Sequence, residues 1–191
     1  MSLFCRKKPV SNVIAFDGPE RVGKSTQIEL LKKHLISKKK KVLVLHSSEF
    51  AGKDITNMPI PQQTKNVAYF ASLWDATIRA IQYLKDNKEG VVIFDRHVLT
   101  QVAFVRQYST FPFIRQMNHL FLKMVNYIFN FYGNHFYSVC LGGVRYGKSQ
   151  DYVIDKTFYK VAKSLPNACY IGNGNRSKEA IHEEIKKILG V

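Results

Sequence analysis

The sequence predicts an α/β domain layered around a mainly parallel sheet, and three observations carry that prediction. Short apolar runs alternate with segments of helical periodicity along the 191 residues. The runs Val13-Ile14-Ala15-Phe16 and Val91-Val92-Ile93-Phe94 are uninterrupted, as strands covered on both faces are. A glycine-bearing turn joins the first of these strands to the first helix.

In chain order, the first strand is Val13 to Phe16, and Ile28, Leu31 and Leu35 then repeat at helical spacing. Val42 to Leu45 is the second strand. After a loop holding Met58 to Pro61, a long helical stretch runs from about Gln63 to Lys88 and stops at Gly90. Val91 to Phe94 is the third strand. Phe113 to Tyr132 is a helix opening after Pro112 and closing at Gly133, and Phe136 to Leu141 is the fourth strand. A helix over Tyr152 to Leu165 and a fifth strand at Ala168 to Ile171 follow. The last helix takes Ser177 as its N-cap and lines up Ile181, Ile185, Ile188 and Leu189 on one face. No repeat or linker interrupts the series, and 46% hydrophobic residues suffice for one core, so a single domain over 1–191 is expected.

Composition narrows the function classes. Cys5, Cys140 and Cys169 are odd in number, far apart and without a CxxC pair, which argues against a disulfide framework or a zinc site. The N-terminal MSLFCRKKPVSN has too short an apolar run for a secretory signal, so a cytoplasmic protein is expected. Leu120 to Phe136 is broken by Lys123, Asn126, Asn130, Asn134 and His135, which excludes a membrane span. The net charge of +15 attracts anions of any kind, nucleotide and nucleic acid alike. The run Lys38 to Lys41 reads as a solvated helix end, with a nucleic-acid or nuclear-import patch as the alternative.

Gly18-Pro19-Glu20-Arg21-Val22-Gly23-Lys24-Ser25-Thr26 is the most informative stretch. Glycines at this spacing let the backbone curl with its N–H groups inward, while the helix that follows presents its positive end to phosphate. Lys24 would reach the β- and γ-phosphates, and the Ser25 hydroxyl would bind Mg²⁺. A nucleoside triphosphate, ATP, is the expected ligand. The architecture then becomes a P-loop NTPase three-layer fold with a five-stranded parallel sheet flanked by helices. Arg21, inside the loop, is either a surface arginine or a group lying over the transferring phosphoryl.

Asp95-Arg96-His97 follows the third strand directly, about 70 residues beyond the loop. Open α/β sheets place ligands at that end. An aspartate there can hold Mg²⁺ or its waters, and the planar fork of Arg96 suits a phosphate. An N-cap with a salt bridge is the plainer reading.

IAFDGPERVGKSTQ (Ile14 to Gln27) resembles the opening of the thymidylate kinase family, and DRHVLTQVAF (Asp95 to Phe104) its Asp-Arg-Tyr/Phe segment. VAYFASLW (Val67 to Trp74) is similar to the helix whose Phe stacks on thymine, and SKEAIHEEI (Ser177 to Ile185) to the closing helix. The likeness spans most of the chain, with the first two motifs the specific ones. It implies transfer of the ATP γ-phosphoryl group to dTMP with Mg²⁺. Lys24, Ser25 and Arg21 would serve ATP and the moving phosphoryl, and Glu20 the acceptor's sugar hydroxyl. Asp95 would serve the metal, Arg96 the acceptor phosphate, Phe70 a face of the base, and Thr100 its edge. The resemblance also implies a homodimer packed through long helices. Phe113 to Tyr132 is the candidate for that contact, a wholly internal core helix being the alternative.

Three departures stand out. Trp74 occupies the position of an arginine that hydrogen-bonds thymine, replacing a donor with a flat apolar surface beside the base. The loop HSSEFAGKD (His46 to Asp54) lacks the family's phosphate-clamping arginine, so Arg96, Lys53 or Arg79 would have to supply that charge. Leu141-Gly142-Gly143-Val144-Arg145-Tyr146 passes from the fourth strand to an Arg-Tyr resembling the family's post-lid segment, with the helical lid nearly missing. Arg145 is the candidate there for ATP phosphate and Tyr146 for the substrate, a solvated loop arginine being the alternative. A shortened lid implies slower turnover, looser ATP binding or lost activity.

His34, His46, His119, His135 and His182 show no metal-ligand spacing. No Gly-x-Ser-x-Gly elbow and no Gly-x-Gly-x-x-Gly fingerprint occurs, which removes hydrolase and dinucleotide readings. Two alternatives to dTMP phosphorylation stay open. One is a kinase for another deoxynucleotide or a nucleoside; the other is a degenerate nucleotide-binding protein with a basic, nucleic-acid-binding surface.

Overall fold

The computed structural model describes residues 11–47, 49, 55, 57–109, 112–143 and 149–191, without the side chains of residues 108 and 149–152. The element order is β1 (Val13–Asp17), α1 (Lys24–Ser37), β2 (Val42–His46), α2 (Gln62–Asp86), β3 (Val91–Asp95) and α3 (Val98–Tyr108). It continues with α4 (Pro112–Phe131), β4 (Phe136–Gly142), α5 (Ser149–Lys163), β5 (Ala168–Gly172) and α6 (Lys178–Leu189). The strands form one parallel sheet in the order β2-β3-β1-β4-β5. The predicted fold class holds.

Alternation along β1 builds the layers, because successive side chains of a strand point to opposite faces. Val13 and Ala15 join a core made with Leu73 and Ala80 of α2, Leu99 and Val102 of α3, Phe121 and Val125 of α4, and Phe158 of α5. Ile14 and Phe16 join the opposite core, with Ile28, Leu31 and Leu35 of α1 and Ile181, Ile185 and Leu189 of α6. Thus α1 and α6 cover one face and the other four helices the second.

The chain leaves β1 for α1 on one face, and leaves the neighbouring β3 for α3 on the other. Diverging connections open a crevice at the carboxyl ends of these two strands, where open α/β sheets bind ligands.

Ser177 caps α6 as expected, its hydroxyl accepting from the Ala180 N–H at 3.1 Å, and Gly190 closes that helix in the left-handed region. Lys38 caps α1, and Lys40 pairs with Glu89 at 3.3 Å. Helix α3 is absent from the sequence-predicted elements. Its residues Val98, Thr100, Val102 and Val105 are β-branched, and its N-cap residue His97 makes no side-chain capping bond. The missing cap comes from Asp17, 83 residues before Thr100 in sequence.

Helix α4 is not wholly internal. Phe121, Val125 and Phe129 enter the core, whereas Phe113, Met117, Leu120, Met124, Tyr127 and Phe131 form an exposed stripe, with Tyr127 71% and Phe131 72% accessible. Among the described residues, no helix is long and apolar enough to cross a membrane.

Candidate active site

The glycine turn takes its shape from steric demands. At Gly18, φ is 132° and a Cβ would sit 2.1 Å from the Leu141 carbonyl oxygen, so β4 leaves room for hydrogen only. Gly23 caps α1 from the left-handed region (φ 88°), aiming the first turn of α1 at the crevice. Arg21 also has positive φ, at 59°.

Register brings the second strand end alongside. Phe16 pairs with Asp95, so the Asp95-Arg96 couple emerges one strand away from the loop. One cavity of about 430 Å³ is lined by Glu20, Arg21, Gly23, Lys24, Ser25, Thr26, His46, Asp95 and Arg96. Loop and couple therefore share a cleft, and cations from both face it.

Lys24 is 6% exposed, and its ammonium donates to the Gly18 carbonyl at 3.1 Å and to the Pro19 carbonyl. Burial, reinforced by the charge of Arg96, lowers its pKa from 10.5 to about 8 against the opposing pull of Asp95 and Asp17. Arg96 donates to the Gly18 carbonyl at 3.3 Å and stands 3.9 Å from the Glu20 carboxylate. Its φ of 66° is costly for a non-glycine residue, on the order of 1–3 kcal/mol. Such a conformation persists only where neighbours hold it.

Not every candidate reaches the cleft. Phe70, Trp74 and Thr100 are absent from the cavity lining. Phe70 and Trp74 pack instead with Phe121, ring centroids 4.7 and 4.8 Å away. The Thr100 hydroxyl donates to Asp17 at 2.6 Å, which leaves only its lone pairs for a base edge. Arg79 is engaged by Glu49 at 2.8 Å and by Asp75 at 3.7 Å, so of the cations considered for an acceptor phosphate it is already paired, whereas Arg96 lines the cleft. Lys53, Arg145 and Tyr146 lie outside the described residues. β4 ends at Gly142 and α5 begins at Ser149, and the shortened lid expected between them falls on residues 144–148, outside the described residues.

Sequence reasoning missed three residues. His46 ends β2 beside Asp95, Nε2 to Oδ2 3.9 Å; its place as the last residue of the second apolar run was the available signal. Asp17, fully buried, accepts from the His97 N–H (2.9 Å), the Thr100 N–H (3.0 Å), the Thr100 hydroxyl (2.6 Å) and the Ser138 hydroxyl (2.5 Å). His97 is buried against Phe94 and Phe136, with Nε2 3.3 Å from the Thr77 hydroxyl. Burial outweighs the attraction of Asp17 and lowers the His97 pKa to about 4, so the ring is neutral.

No protein-family model matches this sequence, and no curated protein matches it. Among solved structures it is similar to thymidylate kinase from Ehrlichia chaffeensis, with a TM-score of 0.69 and 19% identity, over 96% of this chain and 100% of that one. At that identity the likeness establishes the fold. The chain has the P-loop kinase fold, shared with thymidylate kinase.

Proposed function

We propose that this chain is a nucleoside monophosphate kinase of the thymidylate kinase type, moving the γ-phosphoryl group of ATP to the 5′-phosphate of dTMP. The observation that carries the reading is the single cleft lined by both the Lys24 turn and the Asp95-Arg96 couple. Phosphoryl transfer brings two polyanions together, and the protein's share of the work is positioning and charge neutralisation. An oxygen of the acceptor phosphate attacks the γ-phosphorus, and the bond to the β-bridging oxygen breaks to release ADP. Lys24 and Arg21 offset charge on the donor side and Arg96 on the acceptor side.

The site suits Mg²⁺. Ser25 and Asp95 offer hard oxygen donors to the cleft, and no cluster of three or more His, Cys, Asp or Glu that could form a metal cage occurs among the described residues. Mg²⁺ is commonly held by one or two protein oxygens, with waters and substrate phosphates supplying the rest. Ser25 and Asp95 would hold the ion, whose charge would neutralise phosphate oxygens.

The pKa of Lys24 sets a pH dependence. The free enzyme carries this charge below about pH 8 and loses it above. Accordingly kcat/KM for ATP falls as pH rises through about 8, since that ratio reports free-enzyme ionisations. The kcat limb lies at higher pH, because bound phosphate favours the protonated lysine. A profile flat from pH 7 to 10 removes Lys24 from the donor site.

A coupled ADP-release assay with dTMP, dUMP, dCMP, dGMP and thymidine tests the reading. Preference for dTMP supports it; ADP release with another acceptor moves the assignment to that substrate. Trp74, packed on Phe121 and carrying no carbonyl-directed fork, makes the panel necessary. No ADP release, with oligonucleotide binding that weakens steeply with salt, identifies the +15 chain as a basic nucleotide-binding protein instead.

The homodimer belongs to the same proposal. The α4 stripe recurs at alternating four- and three-residue spacing, the seam geometry of packed helices, and a second copy offers an identical apolar seam. Leu120→Glu and Tyr127→Glu are expected to turn a dimer into monomers in sedimentation velocity at micromolar protein. Unchanged sedimentation in both variants excludes α4 as the contact.

A further inference from the structure

We propose that Asp17 is a positioning residue, which locks the Asp95-Arg96 couple in register with the phosphate loop; the inference deepens the kinase reading and rests on it for its catalytic consequence. Three consecutive residues at the end of β1 grip the start of the β3–α3 connection. The Phe16 carbonyl accepts from the Arg96 N–H at 2.9 Å, Asp17 Oδ1 accepts from the His97 N–H at 2.9 Å, and the Gly18 carbonyl accepts from the Arg96 guanidinium at 3.3 Å. Arg96 is bracketed on both sides while it sits at φ 66°.

Helix α3 cannot hold that connection alone, because its own N-cap residue makes no capping bond. Two of its four free N-terminal N–H groups, those of His97 and Thr100, are satisfied by one carboxylate oxygen of Asp17. The Thr100 hydroxyl adds a third bond to that oxygen, and the Ser138 hydroxyl fixes the other oxygen from β4. The carboxylate is thus anchored by β4, carried by β1 and bonded to the helix that follows Arg96. It is fully buried and lines none of the cleft. Its action on the reaction goes through the direction in which Arg96 projects.

The role depends on bond geometry, so asparagine fulfils it. A carboxamide oxygen accepts the same three bonds, and its NH₂ donates to the Ser138 hydroxyl oxygen. The test compares Asp17→Asn and Asp17→Ala with wild type by steady-state kinetics, thermal denaturation and amide hydrogen exchange. Asp17→Ala is expected to lower kcat by about 100-fold, the usual cost of misplacing a reacting group by an ångström. KM for ATP changes by less than about three-fold, exchange accelerates at Arg96 and His97 but not in α1, and Asp17→Asn restores kcat to within about ten-fold of wild type. An Ala variant that melts earlier yet keeps wild-type kcat shows a purely structural carboxylate and overturns the proposal. So does an Asn variant as impaired as Ala, or equal losses for ATP and acceptor.

Should Asp17→Ala fail to fold, Ser138→Ala removes one anchor; a several-fold fall in kcat with KM for ATP unchanged supports the proposal and wild-type kinetics overturns it. If wild-type enzyme phosphorylates no acceptor, the kinase reading fails separately. Exchange then decides for Asp17: retained protection at Arg96 and His97 in the substituted protein overturns the lock, and lost protection supports it.

Discussion

Replacing Lys24 with methionine is expected to leave a folded, slightly more stable protein that transfers no measurable phosphoryl group, with kcat/KM lower by roughly 1,000-fold or more. Activity is lost because the ammonium lining the cleft from the loop side is gone. Stability moves the other way. The native pKa lies at about 8 against 10.5 for the free side chain, so the folded state binds fewer protons than the unfolded chain between those values. Burying the charge therefore costs stability below pH 8, and the cost is relieved as pH rises from about 8 to 10.5. That displacement corresponds to about 3 kcal/mol at neutral pH, of which the lost bonds to the Gly18 and Pro19 carbonyls take back about 1–2. Urea denaturation should find Lys24→Met about 1–2 kcal/mol more stable than wild type at pH 7, with the gap closing by pH 10. A less stable variant, or one that keeps turnover, contradicts the burial and the role of this lysine.

Arg96 gives the second large effect. Arg96→Ala should lower kcat by roughly 1,000-fold, because the acceptor phosphate loses its planar, bidentate cation in the cleft. Alanine keeps the unfavourable φ of 66°, so stability changes little. Arg96→Gly separates the two properties. Glycine adopts that backbone without strain and should gain up to about 1 kcal/mol, while losing as much activity as alanine. Arg96→Lys should recover only part of the rate, since an ammonium cannot reproduce the fork. Wild-type turnover in Arg96→Gly removes the residue from the mechanism.

Much of the site was legible because its signals are local. Gly18 and Gly23 stand five residues apart, and both prove necessary, one by close approach to Leu141 and one by left-handed geometry. Asp95 and Arg96 were legible as the residues that end an apolar run. Ser177 was legible as a cap because its partner is three residues away. Helix α3 was not, because half of its N-terminal hydrogen bonding is written at Asp17. Thr100 looked available to a base, yet its proton goes from helix α3 to Asp17 at the end of β1. Spacing in the chain does not tell the buried stripe of α4 from the exposed one; packing does, with Phe121 against Phe70 and Trp74 and Phe129 against Phe94 and Phe136.

By itself the sequence determined most of the alternation of strands and helices, the glycine turn before Lys24 and the acidic-basic couple, because each depends on φ angles, spacing and caps within a few residues. The tertiary structure decided that β1 lies beside β3, that turn and couple share one cleft, and that Asp17 of β1 accepts from the His97 and Thr100 N–H groups just after the couple. Those facts depend on strand order and register, which are set by how side chains pack across the whole sheet.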